Sequence, residues 1–184
     1  AIPAGEEQIS DYPLPLAPGG SEFVQRVTGE MLAGRGDLIP VSMLPVDGTY
    51  PTATSRFEKR DIAREIPIWH SDICIQCGNC VFVCPHAALR AKFYHQDWLA
   101  TAPEAAQSVP VTAKGFPDSR YTLQLYPEDC TGCGQCVQAC PVRAGADEEH
   151  EGERAIAMMD KAPHLAGQKQ ALRWFESLPW PARE

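Results

Sequence analysis

Short apolar segments bounded by turn residues are the main feature of the hydrophobic pattern in this chain. Residues 66–69 and 155–159 are apolar throughout, and residues 121–126 alternate between apolar and polar side chains. Runs of this length are typical of β-strands in a partly buried sheet. We therefore predict strands at these three places, and a further strand that returns after a short helical turn at residues 87–89.

Two other segments have their apolar residues at helical spacing. The first helix is predicted to begin at Ser21, a typical N-cap residue, and to end at Gly34. The second is predicted to open at Pro163 and to stop at Pro179 and Pro181. Helices at the two ends of a chain whose middle forms short strands predict an α+β fold.

All eight cysteines of the chain fall in two motifs of identical spacing. The first motif is Cys74-Ile-Gln-Cys77-Gly-Asn-Cys80-Val-Phe-Val-Cys84-Pro85, and the second is Cys130-Thr-Gly-Cys133-Gly-Gln-Cys136-Val-Gln-Ala-Cys140-Pro141. Both read C-x2-C-x2-C-x3-C-P, the bacterial spacing of cysteines that bind two [4Fe–4S] clusters. The repeated spacing indicates an internal duplication with two pseudo-equivalent clusters.

The spacing also predicts which cysteines share a cluster. Three cysteines separated by two residues each can surround one face of a cluster, whereas the fourth, which precedes a proline, leaves that loop and reaches the other cluster. The predicted ligands of cluster I are Cys74, Cys77, Cys80 and Cys140. The predicted ligands of cluster II are Cys130, Cys133, Cys136 and Cys84. No catalytic residue is predicted.

Disulfides and zinc are the alternative uses of these cysteines. A disulfide-bonded domain does not need two motifs of identical spacing, and C-x2-C-x2-C suits zinc poorly. His86, two residues after Cys84, is predicted to pack or hydrogen-bond near a cluster rather than to replace a cysteine ligand.

Charge and composition exclude several classes of partner. The formal net charge of the chain is −8 at pH 7, which argues against binding to nucleic acid or to an anionic membrane surface. No stretch approaches the roughly 18 apolar residues of a membrane-spanning helix. The acidic run at residues 147–151 is predicted to be a solvated loop. Thiols that hold iron favour a reducing compartment, so the predicted location is the cytoplasm.

The predicted organisation has three parts. Residues 1–65 form an extended N-terminal arm that carries one helix and packs on other parts of a larger protein. Residues 66–160 form a ferredoxin-like domain with two clusters and a long insertion at about 91–118 between the cysteine motifs. Residues 161–184 form a C-terminal helix and tail.

Three shorter elements are predicted within these parts. Residues 38–45 are bounded by prolines, which favours a short edge strand. Residues 58–65 carry charges of both signs and are predicted to form a solvent-facing helix. A short helix is predicted at residues 102–107 of the insertion.

Several stretches outside the cysteines resemble the two-cluster ferredoxin domain of pyruvate:ferredoxin (or flavodoxin) oxidoreductases and the segment that precedes it. The resemblance covers roughly residues 22–180. It includes Asp47-Gly48-Thr49 and Glu58-Lys59-Arg60, which narrow the choice among two-cluster proteins. The other matching stretches lie at 36–42, 66–69, 83–87, 128–133 and 174–175.

This resemblance implies one-electron transfer through two [4Fe–4S] clusters, inside an enzyme that oxidatively decarboxylates a 2-oxoacid, with pyruvate as the expected substrate, to acyl-CoA and CO2. Thiamine diphosphate, Mg²⁺ and a third [4Fe–4S] cluster are expected elsewhere in that enzyme. Its expected partners are its remaining domains or subunits, coenzyme A, and ferredoxin or flavodoxin as the electron acceptor, and it is expected to be a homodimer. The chain has no thiamine-binding Gly-Asp-Gly run, so we expect it to be a part of that enzyme that is not catalytic by itself.

A stand-alone ferredoxin is the alternative function, as is an iron–sulfur subunit of a hydrogenase, formate dehydrogenase or quinone reductase. A free carrier would not need the arm at residues 1–65. A third interpretation, clusters with a purely structural role as in some nucleic-acid enzymes, is disfavoured by the acidic charge of the chain and by the predicted exchange of ligands between clusters.

Overall fold

The structure is a computed structural model that describes residues 16, 19–143, 152 and 154–180. Its contacts divide the chain into two units, Ala1–Arg60 and Asp61–Glu184. The acidic run at 147–151, the residues after 180 and most of the proline-rich start lie outside the described residues, so the predictions made for them are not addressed by the structure.

The first unit contains the helix that was predicted between Ser21 and Gly34. It consists of a π-helical turn, Val24–Thr28, that continues into helix α1, Gly29–Leu32. The Val24 N–H donates to the Ser21 Oγ at 3.3 Å, which is the capping contact expected of a serine at this position. Three 3₁₀ turns follow along the chain, at Gly36–Leu38, Val41–Met43 and Thr54–Phe57.

The edge strand predicted at residues 38–45 is wrong, because this segment contains the 3₁₀ turn Val41–Met43 and the last residue of the turn Gly36–Leu38. Pro40 has no N–H to donate to a neighbouring strand, and its carbonyl instead accepts the Met43 N–H at 2.9 Å. This bond closes a single 3₁₀ turn. The prolines therefore mark turn boundaries here rather than the ends of a strand.

The helix predicted at residues 58–65 is also wrong. Asp61 has φ = +53°, in the left-handed region that interrupts a right-handed helix. Its N–H donates to the Glu128 carbonyl at 3.1 Å, and the following residues lead into the first strand. Charges of both signs without an apolar stripe do not distinguish a helix from an extended segment.

The second unit contains two small antiparallel sheets. Strand β1, Glu65–Trp69, pairs with β5, Ile156–Asp160. Strand β2, Leu89–His95, pairs with β4, Ser119–Leu125, and β3, Val109–Pro110, adds to the other edge of β4. The strands predicted at 66–69, 121–126 and 155–159 and the return strand after residue 87 are therefore confirmed.

The pairing of these strands interleaves the two halves of the duplication. The strand before the first cysteine motif, β1, pairs with the strand after the second motif, β5. The strand before the second motif, β4, pairs with the strand after the first, β2. The end of each motif is consequently held beside the start of the other.

Among its described residues, the second unit also contains three α-helices. Short helices α2, Asn79–Phe82, and α3, Gln135–Ala139, lie within the two cysteine motifs and pack against each other. Helix α4, Lys161–Ser177, follows β5 directly and begins two residues before the predicted start at Pro163. Among the helices that the structure describes, none combines the length and the apolar character needed to cross a membrane.

Residues 91–118 do not contain the helix predicted at 102–107. A 3₁₀ helix, Gln96–Thr101, precedes that position and ends at Ala102, which is extended. Pro103 explains this end, because a proline disfavours the helical conformation of the residue before it. The first residues of this region, up to His95, continue strand β2.

The hydrophobic core of the second unit lies between the sheets and α4. Ile66, Ile156 and Phe175 are almost completely buried, and Trp174 and Leu178 join the same cluster of apolar side chains. Several cysteines lie at the edge of this cluster, so the core supports the cysteine loops directly.

Candidate metal centres

The first candidate centre is a cavity lined by four cysteines. Three of them, Cys74, Cys77 and Cys80, come from the first motif, and Cys140 comes from the end of the second. Apolar and aromatic side chains complete the lining, among them Trp69, Tyr121, Leu123 and Ile156.

The second candidate centre is a cavity lined by the complementary set of cysteines. Cys130, Cys133 and Cys136 come from the second motif, and Cys84 comes from the end of the first. His86 lines this cavity beside Pro67, Leu89, Leu125 and Met158.

The structure thus brings the eight cysteines together in the two sets of four that the spacing predicts. The physical cause is the crossed pairing of β1 with β5 and of β2 with β4, which places the last cysteine of each motif beside the other loop. Neither motif alone supplies four cysteines to one cavity. Each cavity therefore joins the two halves of the domain.

Backbone N–H groups in the loops point at cysteine sulfurs. The Gln76 N–H donates to the Cys74 Sγ at 3.4 Å, and the Gly132 N–H donates to the Cys130 Sγ at the same distance. The Ala88 N–H donates to the Cys84 Sγ at 3.3 Å. Hydrogen bonds to a sulfur favour its negatively charged form.

Burial opposes ionisation of several of these thiols in the protein alone. It raises the pKa of Cys80 to about 12, with the neighbouring Cys74 thiol adding to the effect. Burial likewise raises the pKa of Cys136 to about 11 and that of Cys130 above its usual value. A thiol with a raised pKa binds metal by exchanging its proton, so the positive charge of iron would replace that proton.

A hydrogen-bond donor without an acceptor is found among the residues that line the first cavity. The Trp69 Nε1 atom is buried and has no partner within the part of the chain that the structure describes. The Trp69 ring packs edge-on against Tyr121, with ring centroids 5.9 Å apart. A buried N–H without an acceptor is unfavourable, and a sulfide or thiolate in the cavity would satisfy it.

The donor sets fit iron–sulfur clusters. Each cavity offers four thiols, backbone N–H groups directed at sulfur, and a mainly apolar lining. No three His, Cys, Asp or Glu side chains among the described residues converge on a single metal ion. A four-iron cluster does not require convergence, because each thiolate binds a different iron corner.

Sequence reasoning missed two features of the first cavity. The unpartnered Trp69 N–H has no sequence signal, because its role depends on which residues surround it after folding. The second is the side chain of Gln76, which contacts residues 110 and 112 of the insertion. Alignment of the two cysteine motifs offered a signal, since Gln76 stands where the second motif has Gly132.

Two protein-family models match this chain, one in each of its two parts. A family model for a 4Fe-4S dicluster domain matches residues 73–144, which include every cysteine. A second model, described as a domain of unknown function, matches residues 10–63. The segment that carries the cysteines of both cavities therefore matches a 4Fe-4S dicluster domain, and the α+β fold around it fits a ferredoxin-like domain.

Whole-sequence comparison adds particular relatives. The chain is 41% identical over 178 residues to a pyruvate-flavodoxin oxidoreductase of Nostoc sp., covering 97% of this chain and 15% of that protein. It is 46% identical over 178 residues to that of Rhodospirillum rubrum, covering 95% of this chain and 15% of the relative. A pyruvate:ferredoxin oxidoreductase of Moorella thermoacetica is 42% identical over 125 residues, covering 68% of this chain and 11% of that protein.

The chain is thus homologous to one segment of pyruvate-flavodoxin oxidoreductases. It spans about 15% of the length of the curated relatives from Nostoc and Rhodospirillum. The resemblance found from the sequence is confirmed, and the 4Fe-4S dicluster domain lies within it.

Proposed function

We propose that this chain passes electrons one at a time through two [4Fe–4S] clusters, as the electron-relay part of a 2-oxoacid:ferredoxin or flavodoxin oxidoreductase. The observation that carries the proposal is the pair of four-cysteine cavities within a segment homologous to pyruvate-flavodoxin oxidoreductases. A [4Fe–4S] cluster accepts and releases one electron without an exchange of ligands.

The proposed ligands follow the two cavities. We assign Cys74, Cys77, Cys80 and Cys140 to cluster I. We assign Cys130, Cys133, Cys136 and Cys84 to cluster II. The protein holds backbone N–H groups against the sulfurs of Cys74, Cys84 and Cys130, and such hydrogen bonds help to set the reduction potential of a cluster.

We propose the same division of the chain into three parts that the sequence suggests. Residues 1–65 would be an arm that packs on other parts of the enzyme, and residues 66–160 the cluster domain with its insertion at about 91–118. Residues 161–184 would be the C-terminal helix and tail. Two observations support a boundary between the arm and the cluster domain near residue 65. The contacts divide the chain after Arg60, and a separate family model matches residues 10–63.

The properties of the whole enzyme are also proposals. The names of the relatives support pyruvate as the substrate and flavodoxin or ferredoxin as the acceptor. The family resemblance suggests coenzyme A as a co-substrate, thiamine diphosphate, Mg²⁺ and a third [4Fe–4S] cluster outside this chain, a homodimeric assembly and a cytoplasmic location. A free ferredoxin is less well supported, because the relatives match the N-terminal residues as well as the cluster domain.

Anaerobic analysis of the chain tests the relay proposal. We expect about eight iron atoms per polypeptide, an EPR signal after reduction by dithionite, and no decarboxylation of pyruvate by the chain alone. A chain that stays colourless and EPR-silent after reconstitution would contradict the cluster assignment. Decarboxylation of pyruvate by the isolated chain would contradict its role as a relay without catalytic residues.

A further inference from the structure

The two cysteine motifs share one unusual backbone position that they fill with different residues. Gln76 follows Cys74 by two residues, as Gly132 follows Cys130, and both have left-handed backbone angles, with φ = +58° and +72°. At both positions the N–H donates to the sulfur of the first cysteine at 3.4 Å. Both loops thus combine an N–H directed at the sulfur of the first cysteine with a left-handed residue at the same position.

Glycine is the expected residue at such a position, and in the second motif it also avoids a tight contact. A Cβ atom at Gly132 would lie 3.2 Å from the Glu65 carbonyl oxygen, so a side chain there would require the neighbouring backbone to shift. Glycine also adopts the left-handed conformation without strain. Gln76 adopts the same conformation with a side chain, which is unfavourable unless other contacts stabilise it.

The side chain of Gln76 makes those contacts with the insertion. Its Nε2 donates to the Pro110 carbonyl at 2.7 Å, and its Oε1 accepts the Thr112 N–H at 3.1 Å. The Thr112 hydroxyl lies 3.4 Å from the same Oε1. In an extended segment, the carbonyl of one residue and the N–H two residues later point to the same side. The side-chain amide of Gln76 therefore bonds to one edge of residues 110–112 in the way that a neighbouring strand would.

The segment that holds Gln76 is itself anchored to the cluster domain. Its opposite edge pairs with β4, and the Val111 N–H donates to the Ser119 carbonyl at 3.0 Å. Just before it, the Thr122 hydroxyl donates to the Gln107 carbonyl at 2.8 Å. The insertion therefore offers a fixed edge rather than a loose loop to the amide of Gln76.

We propose that one role of the insertion is to position the first cysteine loop through Gln76, so that the Gln76 N–H stays directed at the Cys74 sulfur. Gln76 acts as a positioning residue for cluster I, and the second loop needs no such support because glycine occupies its equivalent position. This inference rests on the proposed function in one respect, namely that cluster I occupies the first cavity. A hydrogen bond to a ligand sulfur stabilises the more negative, reduced state and therefore raises the reduction potential.

The test compares Gln76→Met with the wild type in the full iron-loaded chain. Methionine matches glutamine in length but can neither donate to Pro110 nor accept from Thr112. Anaerobic hydrogen–deuterium exchange is expected to accelerate several-fold at residues 75–78 and to remain unchanged at residues 131–134. In an EPR-monitored redox titration, cluster I is identified as the one whose signal is lost in Cys77→Ala. We expect its midpoint potential to fall by about 28 mV in Gln76→Met, which is an about threefold lower ratio of reduced to oxidised cluster at a fixed potential.

Two further variants separate positioning from general damage. Gln76→Gly loses the side chain but supplies the residue that needs no support in the second loop, so we expect a smaller fall in midpoint and better retention of iron than in Gln76→Met. Thr112→Val keeps the Thr112 N–H, which donates at 3.1 Å, and removes only the longer hydroxyl contact at 3.4 Å, so we expect much smaller changes in exchange and midpoint than in Gln76→Met. The proposal is overturned if Gln76→Met moves neither readout, if both loops respond equally, or if Thr112→Val has the same effect.

Failure of this proposal is distinguishable from failure of the proposed function. A wild-type chain with two titrating clusters whose midpoints are insensitive to Gln76 would refute the positioning role and leave the relay intact. A wild-type chain without an EPR signal would refute both.

Discussion

Two indole N–H groups of this chain differ in what surrounds them. The Trp174 Nε1 donates to the Thr101 hydroxyl at 3.2 Å, whereas the Trp69 Nε1 is buried without an acceptor among the described residues. A buried polar group without a partner costs about 1–3 kcal/mol. The position of Trp69 beside the cysteines of the first cavity would make this N–H favourable once sulfide or thiolate is present.

We predict that Trp69→Phe lowers the midpoint potential of the cluster in the first cavity. Phenylalanine keeps an aromatic ring against Tyr121 but removes the N–H. A hydrogen bond to sulfur is stronger when the cluster is reduced, and only this difference shifts the midpoint. Because the whole bond is worth about 1 kcal/mol, the ratio of reduced to oxidised cluster should fall by at most about fivefold. The measurement is an EPR-monitored redox titration of the iron-loaded chain.

Trp174→Phe is the matched control for this titration. It removes an indole N–H that already has a partner in the protein and that belongs to neither cavity. We expect the midpoints of this variant to match those of the wild type. Equal shifts in the two variants, or no shift in Trp69→Phe, would refute the role given to the Trp69 N–H.

At the scale of elements, a lysine from one strand holds the end of the long helix. The buried Lys92 Nζ, from β2, donates to the Phe175 carbonyl at 2.9 Å and to the Leu178 carbonyl at 2.6 Å. It also lies 4.9 Å from the centre of the Phe175 ring and 4.8 Å from that of Trp180. The last carbonyls of a helix lack partners within it, and a cation there is favourable.

We predict that Lys92→Met destabilises the last turn of α4 by about 2 kcal/mol, because two buried carbonyls lose a charged donor. Native-state hydrogen exchange under anaerobic conditions measures the opening free energy of amides at residues 174–178. Lys169→Met is the control, since Lys169 pairs with Glu128 at 2.9 Å in a partly exposed position, where an ion pair is worth at most about 1 kcal/mol. Equal effects of the two substitutions would contradict the special role of Lys92.

The elements that could be predicted from the sequence are those defined by local pattern. Short apolar runs correctly predicted the positions of β1, β4 and β5, and the helical spacing of apolar residues predicted α4. The grouping of cysteines around the two cavities follows from motif spacing, because the fourth cysteine of each motif leaves its own loop.

What could not be predicted depends on contacts between distant parts of the chain. The sequence gives no sign that Lys92 bonds to the carbonyls at the end of α4, or that Gln76 bonds to the insertion. The left-handed conformation of Asp61, which ends the predicted charged helix, leaves no trace in the charge pattern. Side chains that bond to distant backbone atoms are invisible to periodicity.

At the scale of the molecule, the two halves of the duplication depend on each other. The crossed pairing of β1 with β5 and of β2 with β4 gives each cavity three cysteines from one half and one from the other. Because a cluster would need all four thiolates, iron binding and association of the halves are expected to occur together. Replacing Cys84 should therefore damage the cluster held by the second motif, and replacing Cys140 should damage the cluster held by the first.

The most direct test of the account compares four alanine variants of the iron-loaded chain by EPR and iron content. Cys77 and Cys133 lie in the first and second loops, while Cys84 and Cys140 end the two motifs. We predict that Cys84→Ala loses the same cluster signal as Cys133→Ala, and that Cys140→Ala loses the same signal as Cys77→Ala. If Cys84→Ala instead matches Cys77→Ala, each motif binds its own cluster, and the exchange of ligands between the halves is wrong.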